Sequence, residues 1–301
     1  MGGSYYGIDL RQQQAGLRMA LEAALEGGVT HFDTATDYGD GDSERALGQF
    51  LAAEPGRRDD LFLASKVNPA EVSAQAVVQA IEESLRRLRT DVIDLYYLHW
   101  PRSGTDLRPW MEGLEAARQQ GLIRATGVSN FSVAQMETLR DAGRIDVCQV
   151  GYNLLWRFPE RDILPYCARE GIQVVAYSAL AHGILAGRTP RQLAFVAGDQ
   201  RWNISLFQDG VWPGIHEVVQ QMADLAEEEG QPLATLALRW ILSQRTVRSV
   251  LVSARTDGQV LGNLEALSAD IPDDLLARIG ALSDRAMQQV PDEGNPFGHH
   301  P

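Results

Sequence analysis

The stretch 31-HFDTATDYGDGDSERALG-48 begins like a buried strand and ends like a helix. The turn between the two carries glycines, several aspartates and Tyr38. A glycine-rich turn between a strand and a helix usually suggests a phosphate cradle, but this one is lined with carboxylates. The stretch therefore predicts a strand-to-helix unit whose loop serves another purpose.

Six further apolar runs follow it and alternate with helical patterns. Each run is almost continuously apolar, as expected for strands that are covered on both faces. Between them, Ser73 and Ser132 occupy positions typical of helix N-caps, and Ser43 is predicted to cap the helix of the opening stretch. The runs are 61-LFLASKV-67, 92-VIDLYYLHW-100, 125-ATGVSN-130, 147-VCQVGYN-153, 173-QVVAYSAL-180 and 247-VRSVLVSA-254.

Seven strand-and-helix units in succession predict a parallel sheet. A (β/α)₈ TIM barrel suits the chain length. A doubly wound open sheet is the alternative, but it should carry a GxGxxG fingerprint after its first strand, and no strand-to-helix turn has one. No linker divides the units, so we predict a single domain over residues 1–301, with 285–301 as a C-terminal tail.

The eighth strand of such a barrel is not visible in the sequence. A helical pattern at 12–26 precedes the first strand, so another strand should precede that helix. The only residues available, 1-MGGSYYGIDL-10, read as a loop. We therefore expect the first strand of the barrel to be missing from this chain, which leaves two sheet edges open to association.

Composition limits the classes of partner. The chain has 301 residues and a formal net charge of −13, which argues against binding to nucleic acid or to an anionic membrane surface. Its two cysteines form no disulfide framework and suit the cytoplasm. No apolar run approaches the roughly 18 residues needed to cross a bilayer. Nothing in the sequence indicates an oligomeric state.

Four polar side chains are predicted at one rim of the barrel. Asp33, Lys66 and His99 come at the ends of three consecutive strands, and Tyr38 follows in the first loop. Chemistry in TIM barrels gathers at this end of the strands. A buried lysine is costly unless it is paired, and Asp33 lies on the neighbouring strand. Taken singly, Lys66 could be a Schiff-base lysine and His99 a polar core residue.

The quartet in "FDTATDYG", "SKV" and "LHW" resembles the catalytic tetrad of the aldo-keto reductase family. The resemblance continues in 122-LIRATGVSNFS-132, 149-QVGYNLL-155, 173-QVVAYSAL-180 and 251-LVSARTDGQVLGNLEAL-267. It implies an NADPH-dependent enzyme that reduces aldehydes or ketones, small carbonyl molecules, without a metal ion.

In the mechanism that the resemblance implies, each tetrad residue has a role. Tyr38 donates a proton to the forming alkoxide, and the charge of Lys66 lowers the high pKa of the phenol. Asp33 keeps Lys66 charged and in place, while His99 orients the carbonyl oxygen. The acids at 37, 40 and 42 are interpreted as solvated turn residues and helix-entry acids.

The resemblance also implies a cofactor site. The nicotinamide end would meet the first group of residues below, the pyrophosphate the second and the adenosine end the third. Arg255 suits a 2′-phosphate, which favours NADPH over NADH. The first group, at the nicotinamide, is Ser129, Asn130, Gln149 and Tyr177. The second, at the pyrophosphate, is Ser178, Leu180, Gly183 and Arg188. The third, at the adenosine end, is Ser253, Arg255, Gln259 and Asn263.

The substrate would meet Tyr6 and Trp100, two aromatic residues beside the expected pocket. The chain departs from the family pattern at "YSAL", where a proline is usual, and at Gly262, where an acid is frequent. The alternative function is a regulatory subunit on the same barrel that binds nucleotide without turnover, or an inactive member that lacks its N-terminal strand. The intact tetrad favours the enzyme.

Overall fold

The computed structural model describes residues 14–54, 56–196, 198–292 and Phe297. The predicted substrate residue Tyr6 and the segment in which the missing strand was sought lie outside these ranges. None of the helices in the described ranges is long and apolar enough to cross a membrane.

Seven parallel strands form one sheet, and each strand pairs with the next along the chain. The strand order shows no reversal, whereas a doubly wound sheet reverses at its switch point. The strands are β1 His31–Asp33, β2 Phe62–Val67, β3 Ile93–Leu98, β4 Ile123–Ser129, β5 Val147–Gly151, β6 Gln173–Tyr177 and β7 Val247–Val250.

The helices of the described ranges pack around this sheet and bury their apolar faces against it. The repeated strand-then-helix order is the one the sequence predicts. The helices are α1 Gln14–Glu26, α2 Asp42–Ala53, α3 Ala74–Leu88, α4 Arg108–Gln119, α5 Val133–Leu139, α6 Ile163–Glu170, α7 Trp212–Glu228, α8 Leu233–Leu242, α9 Asp257–Ser268 and α10 Asp273–Met287.

Two of the three predicted helix caps are confirmed. Ser73 accepts a hydrogen bond from the backbone of Ala76, and Ser132 forms a capping box at the start of α5. The prediction for Ser43 was wrong, because the left-handed Gly41 is the N-cap of α2. Ser43 lies one residue inside the helix, where its buried hydroxyl accepts a hydrogen bond from Thr34 Oγ1 at 2.8 Å.

The sheet curls until its two outer strands approach each other. His31 Nδ1 on β1 lies 3.1 Å from Ser249 Oγ on β7. Outside this seam, α1 packs against α9 through Ala20, Ala24 and Val260, which are buried. The helical layer therefore closes where the described strands of the sheet do not pair, and the barrel architecture is confirmed with seven strands in the described ranges.

The interior of the barrel is filled by side chains from successive strands. Tyr97 lies here, and its ring covers Gly127 on the neighbouring strand so closely that a Cβ at Gly127 would overlap the ring. The added atom would also lie 3.1 Å from the Val147 carbonyl oxygen. Close-packed interiors absorb such an atom only by moving backbone or rotamers.

Gly127→Ala is therefore expected to lower the free energy of unfolding by about 1–3 kcal/mol, the usual cost of an overpacked core. Urea denaturation measures this change. Gly210→Ala is the control, because nothing lies within 4 Å of the added methyl group there. Equal stability of the two variants would contradict the interior packing described here.

Candidate active site

A buried ion pair forms the base of the site. The Lys66 ammonium contacts the Asp33 carboxylate and donates a hydrogen bond to the Thr34 carbonyl at 2.8 Å. The Lys66 side chain is fully enclosed. Burial acts to lower the pKa of its amine, but Asp33 and Tyr38 together raise it above the usual value. The lysine is therefore held charged inside the protein.

The loop after β1 carries Tyr38 over this ion pair. Lys66 Nζ lies 5.0 Å from the centre of the Tyr38 ring. The loop turns sharply because Gly39, Asp40 and Gly41 all have positive φ angles, and glycine adopts these at little cost. The turn therefore places Tyr38 at the site, and its glycines allow the backbone to adopt the conformation that the turn requires.

Burial raises the pKa of the Tyr38 phenol above its usual value, and the charge of Lys66 acts in the opposite direction. The charge of Lys66 does act to lower this pKa, as the resemblance implies, but desolvation is the larger effect. At neutral pH the phenol therefore keeps its proton. That state suits a group that gives a proton rather than one that takes it.

His99 completes the quartet at the end of β3. Its ring centre lies 5.7 Å from that of Tyr38, with the rings edge to face. Its Nδ1 is 3.5 Å from Asp37 Oδ2 and has no hydrogen-bond partner in the described ranges. The structure therefore brings all four predicted residues to one rim.

Asp37 differs from its expected role as a solvated turn acid. Besides facing His99, its Oδ2 accepts a hydrogen bond from Asn68 Nδ2 at 2.7 Å. Asn68 in turn accepts a hydrogen bond from the backbone nitrogen of Trp100 at 2.9 Å. Asn68 was also missed, although its place two residues after Lys66 puts it at the same rim.

The four residues expected at the nicotinamide lie at the ends of β4, β5 and β6. Asn130, in a left-handed conformation, donates to the His99 carbonyl at 3.1 Å, and Tyr177 donates to its side-chain oxygen at 2.6 Å. Asn130 also donates to Ser129 Oγ, and Gln149 donates to Asp33 Oδ2 at 2.9 Å. Hydrogen bonds therefore join this group to the tetrad.

The residues expected at the pyrophosphate follow β6. Ser178, with a positive φ, lies next to a 3₁₀ segment, Ala181–Ala186, which contains Gly183 and follows Leu180. Arg188 is exposed, and its guanidinium binds the carboxylates of Asp224 and Glu227 on α7. The structure therefore places Arg188 against α7, apart from the tetrad.

The residues expected at the adenosine end gather at the start of α9. The Arg255 backbone donates to Gln259 Oε1 at 2.8 Å, and Thr256 is the N-cap that accepts from Gln259. Arg255 and Ser253 are exposed. The cap residue Thr256 was missed, although the spacing in 256-TDGQ-259 is that of a capping box. Asn263 lies on the second turn of the same helix.

The mouth of the site is aromatic. The Trp100 ring lies 5.8 Å from that of His99 and 5.8 Å from that of Phe297, and the His182 ring lies 5.4 Å from that of Phe297. His182 and Phe297 were missed, since a single sequence does not show which loop residues meet at a pocket. In the described ranges, no group of three His, Cys, Asp or Glu residues is arranged to hold a metal ion.

The sequence matches the family model described as "Aldo/keto reductase family" over residues 1–284. An "NADH-specific methylglyoxal reductase" of Escherichia coli (strain K12) is 30% identical over 296 residues, which cover 90% of this chain and 88% of that protein.

Solved structures agree with this match. The glycerol dehydrogenase AKR11B4 from Gluconobacter oxydans superposes with a TM-score of 0.82 at 32% identity, covering 97% of this chain and 90% of that one. An aldo/keto reductase from Klebsiella pneumoniae in complex with NADP and acetate gives a TM-score of 0.74 at 30% identity, covering 95% and 89%. This chain therefore belongs to the aldo/keto reductase family and is an oxidoreductase that uses a nicotinamide cofactor.

Proposed function

We propose that this protein reduces aldehydes or ketones to alcohols with NADPH, and that Tyr38 is the general acid. The observation that carries the proposal is a half-buried phenol beside a fully enclosed ammonium, with the ring of His99 edge to face against that of Tyr38. Bound NADPH supplies the hydride for the carbonyl carbon. The proton for the carbonyl oxygen then has to come from the protein.

Tyr38 is the group placed to give that proton. Charge develops on the substrate oxygen as its bond to carbon changes, and a phenol next to a cation donates more readily as that charge grows. Once the proton has left, Lys66 stabilises the phenolate, because its ammonium is enclosed and fixed by Asp33. The ion pair therefore acts on Tyr38 from a constant position.

The residues at the strand ends fit a nicotinamide cofactor. Asn130 and Ser129 offer amide and hydroxyl groups at the rim, and Tyr177 offers an aromatic face beside them. At the other end, Arg255 is an exposed cation at the start of α9, where backbone N–H groups also favour phosphate. We infer that the cofactor extends between these two places.

The proposed preference for NADPH rests on Arg255. Replacing it with alanine is expected to weaken NADPH binding about tenfold and NADH binding hardly at all, because the guanidinium matches the 2′-phosphate that only NADPH carries. Fluorescence titration measures both affinities. Arg278→Ala is the control, since Arg278 is on α10 and pairs with Glu229, the residue that follows α7.

An equal loss for both nucleotides in Arg255→Ala would contradict this role. The Escherichia coli relative is named for NADH, so both nucleotides belong in the titration. Arg188→Ala adds a further comparison. Because Arg188 is held by two carboxylates of α7, we expect its removal to change nucleotide affinity less than that of Arg255.

The assay for the proposed function is the loss of NADPH absorbance with a panel of activated aldehydes and simple ketones. We expect turnover with at least one aldehyde. Binding of NADPH without absorbance loss across the panel would instead favour the alternative function, a nucleotide-binding subunit without turnover. The aromatic mouth formed by Trp100 and Phe297 makes aryl aldehydes the first choice in the panel.

A further inference from the structure

Asp37 lies immediately before the proposed general acid, and its carboxylate faces His99 rather than water alone. Its Oδ2 is 3.5 Å from His99 Nδ1, and the hydrogen bond from Asn68 fixes it there. Asn68 is itself anchored by the backbone of Trp100, the residue after His99. The carboxylate and the imidazole are therefore held to each other by a short chain of polar contacts.

This arrangement decides which ring nitrogen carries a proton. A neutral imidazole has one N–H donor and one acceptor nitrogen, and the partner of one nitrogen sets the state of the other. A carboxylate at Nδ1 favours a proton on Nδ1, since two lone pairs facing each other repel. Neutral His99 then has an acceptor at Nε2, the nitrogen on the opposite side of the ring.

An acceptor at Nε2 can form a hydrogen bond with the alcohol but not with the carbonyl compound. A carbonyl oxygen needs a donor, so neutral His99 in this tautomer cannot bind it by a hydrogen bond. An alcohol can donate its hydroxyl hydrogen to that acceptor. When His99 is protonated, both nitrogens carry hydrogen, and Nε2 can donate to a carbonyl oxygen.

We propose that Asp37 is a positioning residue that makes His99 select the reaction direction: the imidazolium binds the carbonyl substrate, and the neutral ring binds the alcohol. This inference rests on the proposed function. Four titratable or charged groups face His99, from β1, from the loop after it and from β2: Asp33, Asp37, Tyr38 and Lys66. Asp37 Oδ2 lies 3.5 Å from Nδ1, which has no hydrogen-bond partner in the described ranges, so the carboxylate acts on that nitrogen through its charge.

The surrounding charges set the pH range of this behaviour. Burial lowers the pKa of His99 below its usual value, Asp37 opposes that effect and Lys66 adds to it. Contact with His99 lowers the pKa of Asp37, so the carboxylate stays ionised while His99 titrates. As pH rises through the pKa of His99, the carbonyl-binding form is lost and reduction should slow.

The first test is the pH dependence of kcat/KM for the reduction of para-nitrobenzaldehyde with NADPH. We expect the wild type to fall about tenfold per pH unit above the pKa of His99, as a single required proton dictates. Asp37→Ala removes the acceptor, which frees neutral His99 to carry its proton on Nε2. Its kcat/KM should then change less than about twofold over the same pH range.

Two further variants separate the effect of a polar group facing His99 from the effect of the negative charge of Asp37. In Asp37→Asn the amide oxygen can still accept from Asn68 and face Nδ1, so the descending limb should remain but shift to lower pH, because the carboxylate that raised the pKa of His99 is gone. Asp40→Asn removes a carboxylate from the same loop, away from His99, and should keep the wild-type profile. A wild-type profile in Asp37→Ala would overturn the proposal.

The second test does not depend on turnover. The chain has six histidines, and nitrogen-15 NMR of labelled protein reports the tautomer of each ring, with His99→Asn identifying the His99 signals. We expect the Nδ1–H tautomer in the wild type and in Asp37→Asn, and the Nε2–H tautomer in Asp37→Ala. Identical patterns in all three would overturn the proposal, whereas a tautomer change in a protein without turnover would contradict only the proposed function.

Discussion

Replacing Tyr38 with phenylalanine is expected to lower kcat for aldehyde reduction by about 10²–10⁴-fold, the usual contribution of a general acid, and to leave NADPH affinity almost unchanged. The substitution removes one oxygen and keeps the ring that faces His99 and Lys66. Absorbance assays give kcat, and fluorescence titration gives the affinity.

Tyr166→Phe is the matched control, because it removes the same oxygen from α6, outside the barrel. Its turnover should equal that of the wild type. If Tyr38→Phe lost NADPH affinity together with turnover, Tyr38 would be a binding residue and its role as the acid would be wrong. If it retained turnover, the proton would come from another group.

Replacing Lys66 with methionine is expected to lower the free energy of unfolding by about 3–5 kcal/mol, the cost of leaving a buried charge without its partner. The side chain keeps its length, but the Asp33 carboxylate loses the ammonium that it contacts. Urea denaturation measures the loss. Turnover should fall as well, because no cation remains to stabilise the Tyr38 phenolate.

The double variant Asp33→Asn with Lys66→Met separates these effects. It removes both charges, and Gln149 can still donate to the amide oxygen at position 33. Most of the stability should return while turnover stays low. If the double variant were as unstable as Lys66→Met, packing around the lysine stem and not the unpaired charge would account for the loss.

Lys66 is the only lysine in the chain, and the other 26 of its 27 basic residues are arginines. A lysine ends in a compact ammonium that fits a closed space, whereas a guanidinium is wide and planar. Labelled lysine therefore gives a single Nζ signal, which reports directly on the charge of the residue that the site depends on.

Most of the fold follows from local patterns in the sequence. Near-continuous apolar runs such as 61–67, 92–100 and 125–130 indicated strands buried on both faces, and the order of runs and helices indicated the barrel. The tetrad could be predicted because three of its members come at strand ends, whose position in a barrel is fixed by the fold, and Tyr38 follows in the loop after the first of these strands.

The parts that were missed depend on the backbone conformation of a turn, on contacts between distant loops and on burial. The Ser43 prediction failed because the left-handed Gly41 is the N-cap, so the helix begins two residues earlier than residue preference suggested. Asp37 was read as a solvated acid because the sequence does not show that Asn68 and His99 lie beside it. The sign of the Tyr38 pKa shift depends on burial, which has no local signature.

The packing of α1 against α9 joins the two ends of the described barrel where its outer strands do not pair. At this seam Gly16 of α1 lies so close to the chain at Arg255 that a Cβ on Gly16 would be 3.4 Å from the Arg255 carbonyl oxygen. The tetrad is held by β1 to β3 and their loops, and β1 is itself one of the two outer strands at this seam. A local opening of the contact between α1 and α9 is therefore expected to loosen both the proposed adenosine site around Arg255 and, through β1, the support of Asp33, so that release of a nucleotide and the geometry of the ion pair are coupled.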